Sequence, residues 1–223
     1  MKRFLDRRAA GQLLGRELAR YAAEAPIVVA LPRGGLPVGF EVATALGAPL
    51  DVWVVRKLGA PLHPEFGMGA VAEGGYVHVD PRIPYDLGVS ETELAELVAA
   101  TRREVDDRVR RYRGNQRRPM LRGRTVIVVD DGIATGGTVA AALGAMRRAG
   151  ATKLVLAVPV AAADSLAWLA DRADEVICLV APRALGAVGH WYEMFDAVSD
   201  EEALALLERA RRNQAARTER EAS

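Results

Sequence analysis

Residues Val126-Ile127-Val128-Val129-Asp130-Asp131-Gly132-Ile133-Ala134-Thr135-Gly136-Gly137-Thr138 constrain this chain more than any other stretch. Four β-branched residues in a row read as a strand buried on both faces. Two carboxylates end that strand, a loop of glycines and threonines follows, and an Ala-rich segment to about Arg148 reads as a helix. In such a strand–loop–helix, glycines bring the backbone close to a ligand, and N–H groups backed by a helix N-terminus converge on one anion. Thr135 and Thr138 add hydroxyl donors to the same anion. Two adjacent acids are a poor lining for a phosphate site unless the ligand also offers donors, such as a ribose diol, or carries a bound Mg²⁺. Phosphate in the loop and diol on Asp130 and Asp131 describe a sugar phosphate. An ordinary turn with an Asp N-cap would need one Asp and one Gly, and would leave the rest of the stretch without a reason.

Two further segments offer cations beside turns. Ile27 to Leu31 is a short apolar strand, and Pro32-Arg33-Gly34-Gly35 leads from it into a helix from about Pro37 to Leu46. Arg33 in a glycine turn can present a forked cation to a phosphate. Asp51 to Lys57 reads as the next strand, with Arg56-Lys57-Leu58-Gly59 at its end. Ligands gather at the C-terminal ends of strands in open parallel sheets, and strand alternation sends only one of the two cations inward, with Lys57 favoured. Solvated surface charge is the plainer reading of both places.

The remaining elements alternate. Asp6 caps a helix over 7–24, and Gly59 to Gly69 is a loop in which His63 and Glu65 are candidates for acid–base work. A hairpin turns at Glu73-Gly74-Gly75. Ser90 and Glu93 form a capping box for a helix to about Arg113, whose apolar stripe includes Leu94, Leu97, Val98, Val105 and Val109. Strands at Lys153–Val160 and Glu175–Ala181 enclose a helix at Ala163–Asp171, and a C-terminal helix spans Asp200 to Arg212 with a frayed tail beyond Asn213. This alternation predicts an α/β fold, an open, mainly parallel twisted sheet flanked by helices. The aromatics Trp191 and Tyr192 follow the last strand and can either stack on a flat base or pack the C-terminal helix.

Composition narrows the class. At 223 residues, half of them hydrophobic, the chain can bury a sizeable core as one domain. A formal net charge of +1 gives no bulk attraction to nucleic acid or membranes. The single cysteine, Cys178, lies in an apolar run and is expected to be a buried thiol. No signal-like segment or membrane-length apolar run is present, so a cytoplasmic location is expected.

Four hydrophobic residues followed by Asp-Asp-Gly-Ile-Ala-Thr-Gly-Gly-Thr closely resemble the phosphoribosyl-pyrophosphate (PRPP) motif of type I phosphoribosyltransferases. The resemblance covers about Pro26 to Ala181. It implies a single domain over 1–223, with a helical insertion at about 80–122 and a small hood at about 182–200. It implies transfer of ribose 5-phosphate from PRPP to a nucleobase or related acceptor with Mg²⁺ and release of pyrophosphate. On this reading Gly132, Ile133, Ala134, Thr135, Gly136, Gly137 and Thr138 hold the 5-phosphate. Asp130 and Asp131 hold the ribose hydroxyls, directly or through metal-bound water. Arg33, Gly34, Gly35, Arg56 and Lys57 face the pyrophosphate, with Lys57 beside the reacting centre, and Trp191 and Tyr192 are the candidates for the base. Ala134 stands where members acting on 6-oxopurines carry an acid, which argues against a close hypoxanthine or guanine specialist. The family also implies a homodimer. The alternative is a non-catalytic PRPP-binding regulator, for which the Arg-rich 102–124 region would be the RNA-binding surface.

Overall fold

The protein's structure, a computed structural model, describes residues 3–61 and 67–221. His63 and Glu65 therefore lie outside the described residues. The strands are β1 (Ile27–Ala30), β2 (Leu50–Val52), β3 (Val55–Gly59), β4 (Gly67–Ala72), β5 (Tyr76–Val79), β6 (Thr125–Val129), β7 (Lys153–Val160) and β8 (Glu175–Val180). The helices are α1 (Arg7–Glu17), α2 (Gly35–Leu46), α3 (Arg82–Asp86), α4 (Glu91–Arg113), α5 (Gly137–Arg148), α6 (Ala163–Ala170) and α7 (Asp200–Glu221).

Five strands form a parallel sheet in the order β2-β1-β6-β7-β8. Alternation along the central strands feeds both faces. Val28, Ile127, Val129 and Val155 meet Leu14, Val38, Val42 and Leu207 on one side. Val29, Val126, Val128 and Leu156 meet Val139, Leu143 and Met146 of α5 on the other. Each such side chain removed from water contributes about 1.5–3 kcal/mol, so the central strands fix the sheet with no polar residue between Val126 and Val129.

The stretch Asp51–Lys57, expected as one strand, is two strands in two sheets. β2 ends where Trp53 donates its backbone N–H to Ala30, and the chain then enters an antiparallel sheet ordered β3-β4-β5. Arg56 and Lys57 therefore sit in an antiparallel sheet, not at the end of a parallel strand. A short apolar run reads alike in either setting, because both sheets bury Val and Trp. Glu73 and Arg113 anchor this junction. Both are buried, and Arg113 bonds Glu73, Asp51 and the Val52 carbonyl, tying the end of α4 to the β4–β5 turn and to β2. The expected Ser90–Glu93 capping box is present.

Other boundaries also differ. α1 stops at Glu17 and continues as a 3₁₀ turn over Ala19–Glu24, while Asp6 accepts from Ala9 N–H at 2.7 Å as its cap. α7 runs on to Glu221 instead of fraying after Asn213; Asn213, Gln214 and Arg217 line a crevice against Gly47 and Ala48 at the end of α2. Cys178 is half-buried on β8, an edge strand, rather than fully enclosed. Among the described residues no helix is long and apolar enough to cross a membrane.

Candidate active site

The C-terminal ends of β1 and β6 bring the acids and the Arg33 turn together. Leu31 N–H donates to the Val129 carbonyl at 2.9 Å, which sets the turn at residues 32–35 beside the end of β6. The Pro32–Arg33 peptide is cis. Gly34 has an ordinary φ of −58°, so its need is space and not conformation. A Cβ there would lie 2.6 Å from the carboxyl carbon of Asp131, and one on Gly35 would lie 2.8 Å from the Val129 carbonyl oxygen. Asp131 N–H donates to Asp130 Oδ1 at 2.9 Å, and the two carboxyls stay close to each other.

The 132–138 loop is held from behind. Ile133 N–H donates to the Val160 carbonyl at 2.9 Å, and Ala162 N–H returns to the Ile133 carbonyl at 3.0 Å. The hydroxyl of Ser165 donates to the Ala134 carbonyl. These bonds occupy the carbonyls facing β7 and α6. Gly136 caps α5 with φ of +78°, a left-handed conformation that favours glycine. The N–H groups of α5's first turn have no partner within the helix, and Thr135 is exposed beside them.

A cation absent from the sequence reading completes the acid pair. Arg7, in the first turn of α1, donates Nε–H to Asp131 Oδ2 at 2.7 Å and an NH1 proton to the Asp196 carbonyl at 2.7 Å. Its guanidinium lies 3.8 Å over the Phe195 ring. Two acids can therefore share this place before any ligand arrives. Burial, and then the charge of Asp131, push the Asp130 carboxyl well above the usual aspartate range. Nothing in the spacing of Arg7, 124 residues from Asp131, could have announced the contact.

The other cations diverge. Lys57 lines a cleft of about 670 Å³ together with Thr135, Gly137, Thr138, His78 and Trp168. Arg56, on the other face of β3, bonds Glu104 of α4 through Nε and NH2. Arg33 is 46% exposed and lies 3.7 Å from Asp200. Trp168, 38% exposed, stands against the 132–138 loop, and the sequence offered no sign that this helical Trp would border it.

Trp191 and Tyr192 follow neither expectation. Trp191 is buried, and its indole N–H donates to the Leu185 carbonyl at 3.1 Å. Tyr192 packs between Phe4 and Phe195, with ring centroids 5.5 and 4.9 Å away, and its hydroxyl donates to the Asp131 carbonyl. Burial and the nearby Asp131 charge raise its pKa. Both rings pack against the N-terminal segment, whereas α7 contributes Ala203 and Leu207 to the main core. Both are buried, and Tyr192 supports Asp131; neither forms an open platform for a base. Segment 3–5 completes this layer through backbone bonds from Phe4 to Trp191 and from Glu193 and Met194 back to Phe4 and Leu5.

The chain is similar to known proteins along most of its length. The model of the phosphoribosyl transferase domain family matches residues 5–190. Two Mycobacterium tuberculosis proteins, from strains CDC 1551 / Oshkosh and ATCC 25618 / H37Rv, are each named "putative phosphoribosyl transferase". Each is 46% identical to this chain over 218 residues, or 96% of the chain. The chain spans 48% of the length of each of these relatives. The crystal structure of TT1426 from Thermus thermophilus is 44% identical, with a TM-score of 0.79 and coverage of 92% of this chain and 97% of that one. With the family model covering the sheet, both turns and the acid pair, this chain belongs to the phosphoribosyl transferase domain family.

Proposed function

We propose that this chain transfers ribose 5-phosphate from PRPP to a nucleobase or related nitrogenous acceptor, with release of pyrophosphate. The observation that carries this reading is the apposition of the 33–35 turn and the acid pair, with Gly34 so close to Asp131 that a Cβ would come within 2.6 Å of its carboxyl carbon. A pyrophosphate grip and a 5-phosphate loop then flank two acids suited to the ribose hydroxyls.

The chemistry follows from that placement. The C1–oxygen bond breaks with its electron pair leaving on pyrophosphate, C1 gains oxocarbenium character, and the acceptor nitrogen attacks C1 and sheds its proton. Arg33 and Lys57 neutralise the departing charge. The 132–138 loop grips the 5-phosphate, a remote handle that orients C1. Arg7 occupies Oδ2 of Asp131 and leaves Oδ1 for a ribose hydroxyl. Asp130 and Asp131 offer hard oxygens that suit Mg²⁺. No cluster of three or more His, Cys, Asp or Glu ligands occurs among the described residues, so substrate oxygens and water would complete its shell. When bound, the ion supplies positive charge to the pyrophosphate.

The RNA-binding alternative finds little support on α4. Arg110 and Arg111 pair with Asp107 and Asp200, Arg102 donates to the Gly75 carbonyl, and Arg113 is buried on Glu73.

The test is pyrophosphate release from PRPP and Mg²⁺ across a panel of purine and pyrimidine bases, beside PRPP titration of Asp131→Asn. Release with one base identifies the acceptor. Saturable PRPP binding without release from any base would replace the transferase by a sensor. The variant should bind PRPP roughly tenfold or more weakly, the worth of a hydrogen bond to a charged group. Unchanged affinity would remove the diol assignment.

A further inference from the structure

Arg7 reaches the acid pair from the N-terminal helix, on a frame that holds it in place. It opens α1, which Asp6 caps by accepting Ala9 N–H at 2.7 Å. Two glycines let α1 lie flush on α2: a Cβ on Gly11 would come 2.8 Å from the Val38 carbonyl oxygen, and one on Gly15 would come 2.8 Å from Ala45 Cβ. α2 in turn begins at Gly35, hard against Val129 and Asp130. Close-packed interiors yield little, so Arg7, the 33–35 turn and the acids share one rigid unit. The Arg7 side chain is only 11% exposed. Contacts other than Asp131 also fix it, namely the Asp196 carbonyl at 2.7 Å and the face of Phe195 at 3.8 Å.

Asp131 is enclosed on its Oδ2 side. Arg7 Nε lies 2.7 Å from Oδ2, and Oδ2 is also the carboxyl oxygen nearer to Gly34: a Cβ there would lie 2.1 Å from Oδ2 and 3.0 Å from Oδ1. The Tyr192 hydroxyl holds the backbone carbonyl of the same residue. Side chain and main chain of Asp131 are therefore both tied down, by groups from opposite ends of the sequence. We infer that Arg7 is a positioning residue that acts through Asp131, fixing the carboxylate so that Oδ1 is the oxygen offered to the ribose hydroxyls, and that it touches no ligand itself. The inference rests on the proposed role of Asp131 in holding those hydroxyls. An acid ordered before the sugar arrives spares the ligand the entropy of ordering it. The guanidinium also offsets one of two adjacent negative charges where an anionic sugar phosphate must approach.

Inorganic phosphate, ribose 5-phosphate and PRPP with Mg²⁺ are titrated into the wild-type chain, Arg7→Met, Arg7→Lys, Asp131→Asn and the Arg7→Met, Asp131→Asn double variant, with thermal melts showing that each is folded. Arg7→Met keeps an apolar stem over Phe195 and removes every donor. It should weaken ribose 5-phosphate and PRPP about tenfold, the scale of a lost hydrogen bond to a charged group, while inorganic phosphate, which needs only the loop, stays within about twofold. Arg7→Lys again brings a cation to Oδ2 and should return both sugar phosphates to within about threefold of wild type. In the Asp131→Asn background, Arg7→Met should cost less than about twofold more, because effects that pass through one residue do not add. Losses that multiply in the double variant overturn the inference, as do inorganic phosphate weakening in step with ribose 5-phosphate or an Arg7→Met affinity equal to wild type. Should Arg7→Met not fold, Arg7→Gln takes its place under the same criteria. A wild-type chain that binds ribose 5-phosphate no more tightly than inorganic phosphate overturns the diol reading and the inference with it.

Discussion

Asp130 holds its proton more tightly than an ordinary aspartate, because burial and the adjacent Asp131 both oppose its charge. A raised carboxyl pKa in the folded state means that the native protein keeps a proton the unfolded chain has lost. Stability therefore falls as pH rises from the ordinary value of 3.8 through the folded value, and the whole penalty is present above it. Asp130→Asn should raise the urea midpoint at pH 7 and make no difference below pH 3.8, while weakening PRPP binding; equal midpoints at both pH values would show that Asp130 carries no such penalty. Gly34 acts through space. Gly34→Ala must push its methyl group into Asp131, at a cost of about 1–3 kcal/mol for overpacking, and should abolish PRPP binding, read by thermal melting and titration. Both residues were legible as site members from the glycine turn and the Asp-Asp pair. Arg7 was not, because an Arg in the first turn of an amphipathic helix looks the same whether it meets solvent or an acid 124 positions away.

At the scale of elements, α4 is joined to the sheets by one buried cation. Arg113 and Glu73 are only 4% and 6% exposed, and Asp51 shares the guanidinium at 3.2 Å. Removing one partner of a buried pair leaves an uncompensated charge, so Arg113→Ala should destabilise by about 3–5 kcal/mol. Arg113→Met combined with Glu73→Leu should recover much of that loss, because packed apolar groups replace buried pairs well. Denaturation midpoints of the single and double variants check this, and a double variant no more stable than the single one would count against it. The helix itself was readable from its capping box and apolar stripe, but its docking was not. An Arg among many on a mixed-charge helix gives no sign that it is the buried one. The split of residues 51–57 has the same origin: local pattern specifies extended structure, while partner strands specify the sheet.

Across the whole molecule, Glu175 closes the end of the sheet opposite the site. It accepts from the hydroxyl of Tyr21 and pairs with Lys153 and Arg20, which hold its carboxyl down at about 2, against an ordinary 4.5. A depressed folded pKa contributes stability that is complete above the ordinary value and disappears as pH falls through the folded one. The gap in urea midpoint between the wild-type chain and Glu175→Gln should therefore be full at pH 7 and narrow from pH 4.5 towards 2; a gap constant over that range would contradict the assignment. Its partners lie from Arg20 to Lys153, so one exposed cluster reports on closure of the entire fold. By itself, the sequence determined the parallel α/β sheet, the glycine-rich loop after β6 and the acid pair, because strand burial, glycine turns and adjacent carboxylates are local patterns with local causes. Only the tertiary structure decided that Arg7 meets Asp131, that Arg56 and Lys57 belong to an antiparallel sheet, that Trp191 and Tyr192 are buried, and that Trp168 borders the loop. Those outcomes depend on which surfaces meet when helices and sheets pack, and the spacing of residues along the chain does not encode that meeting.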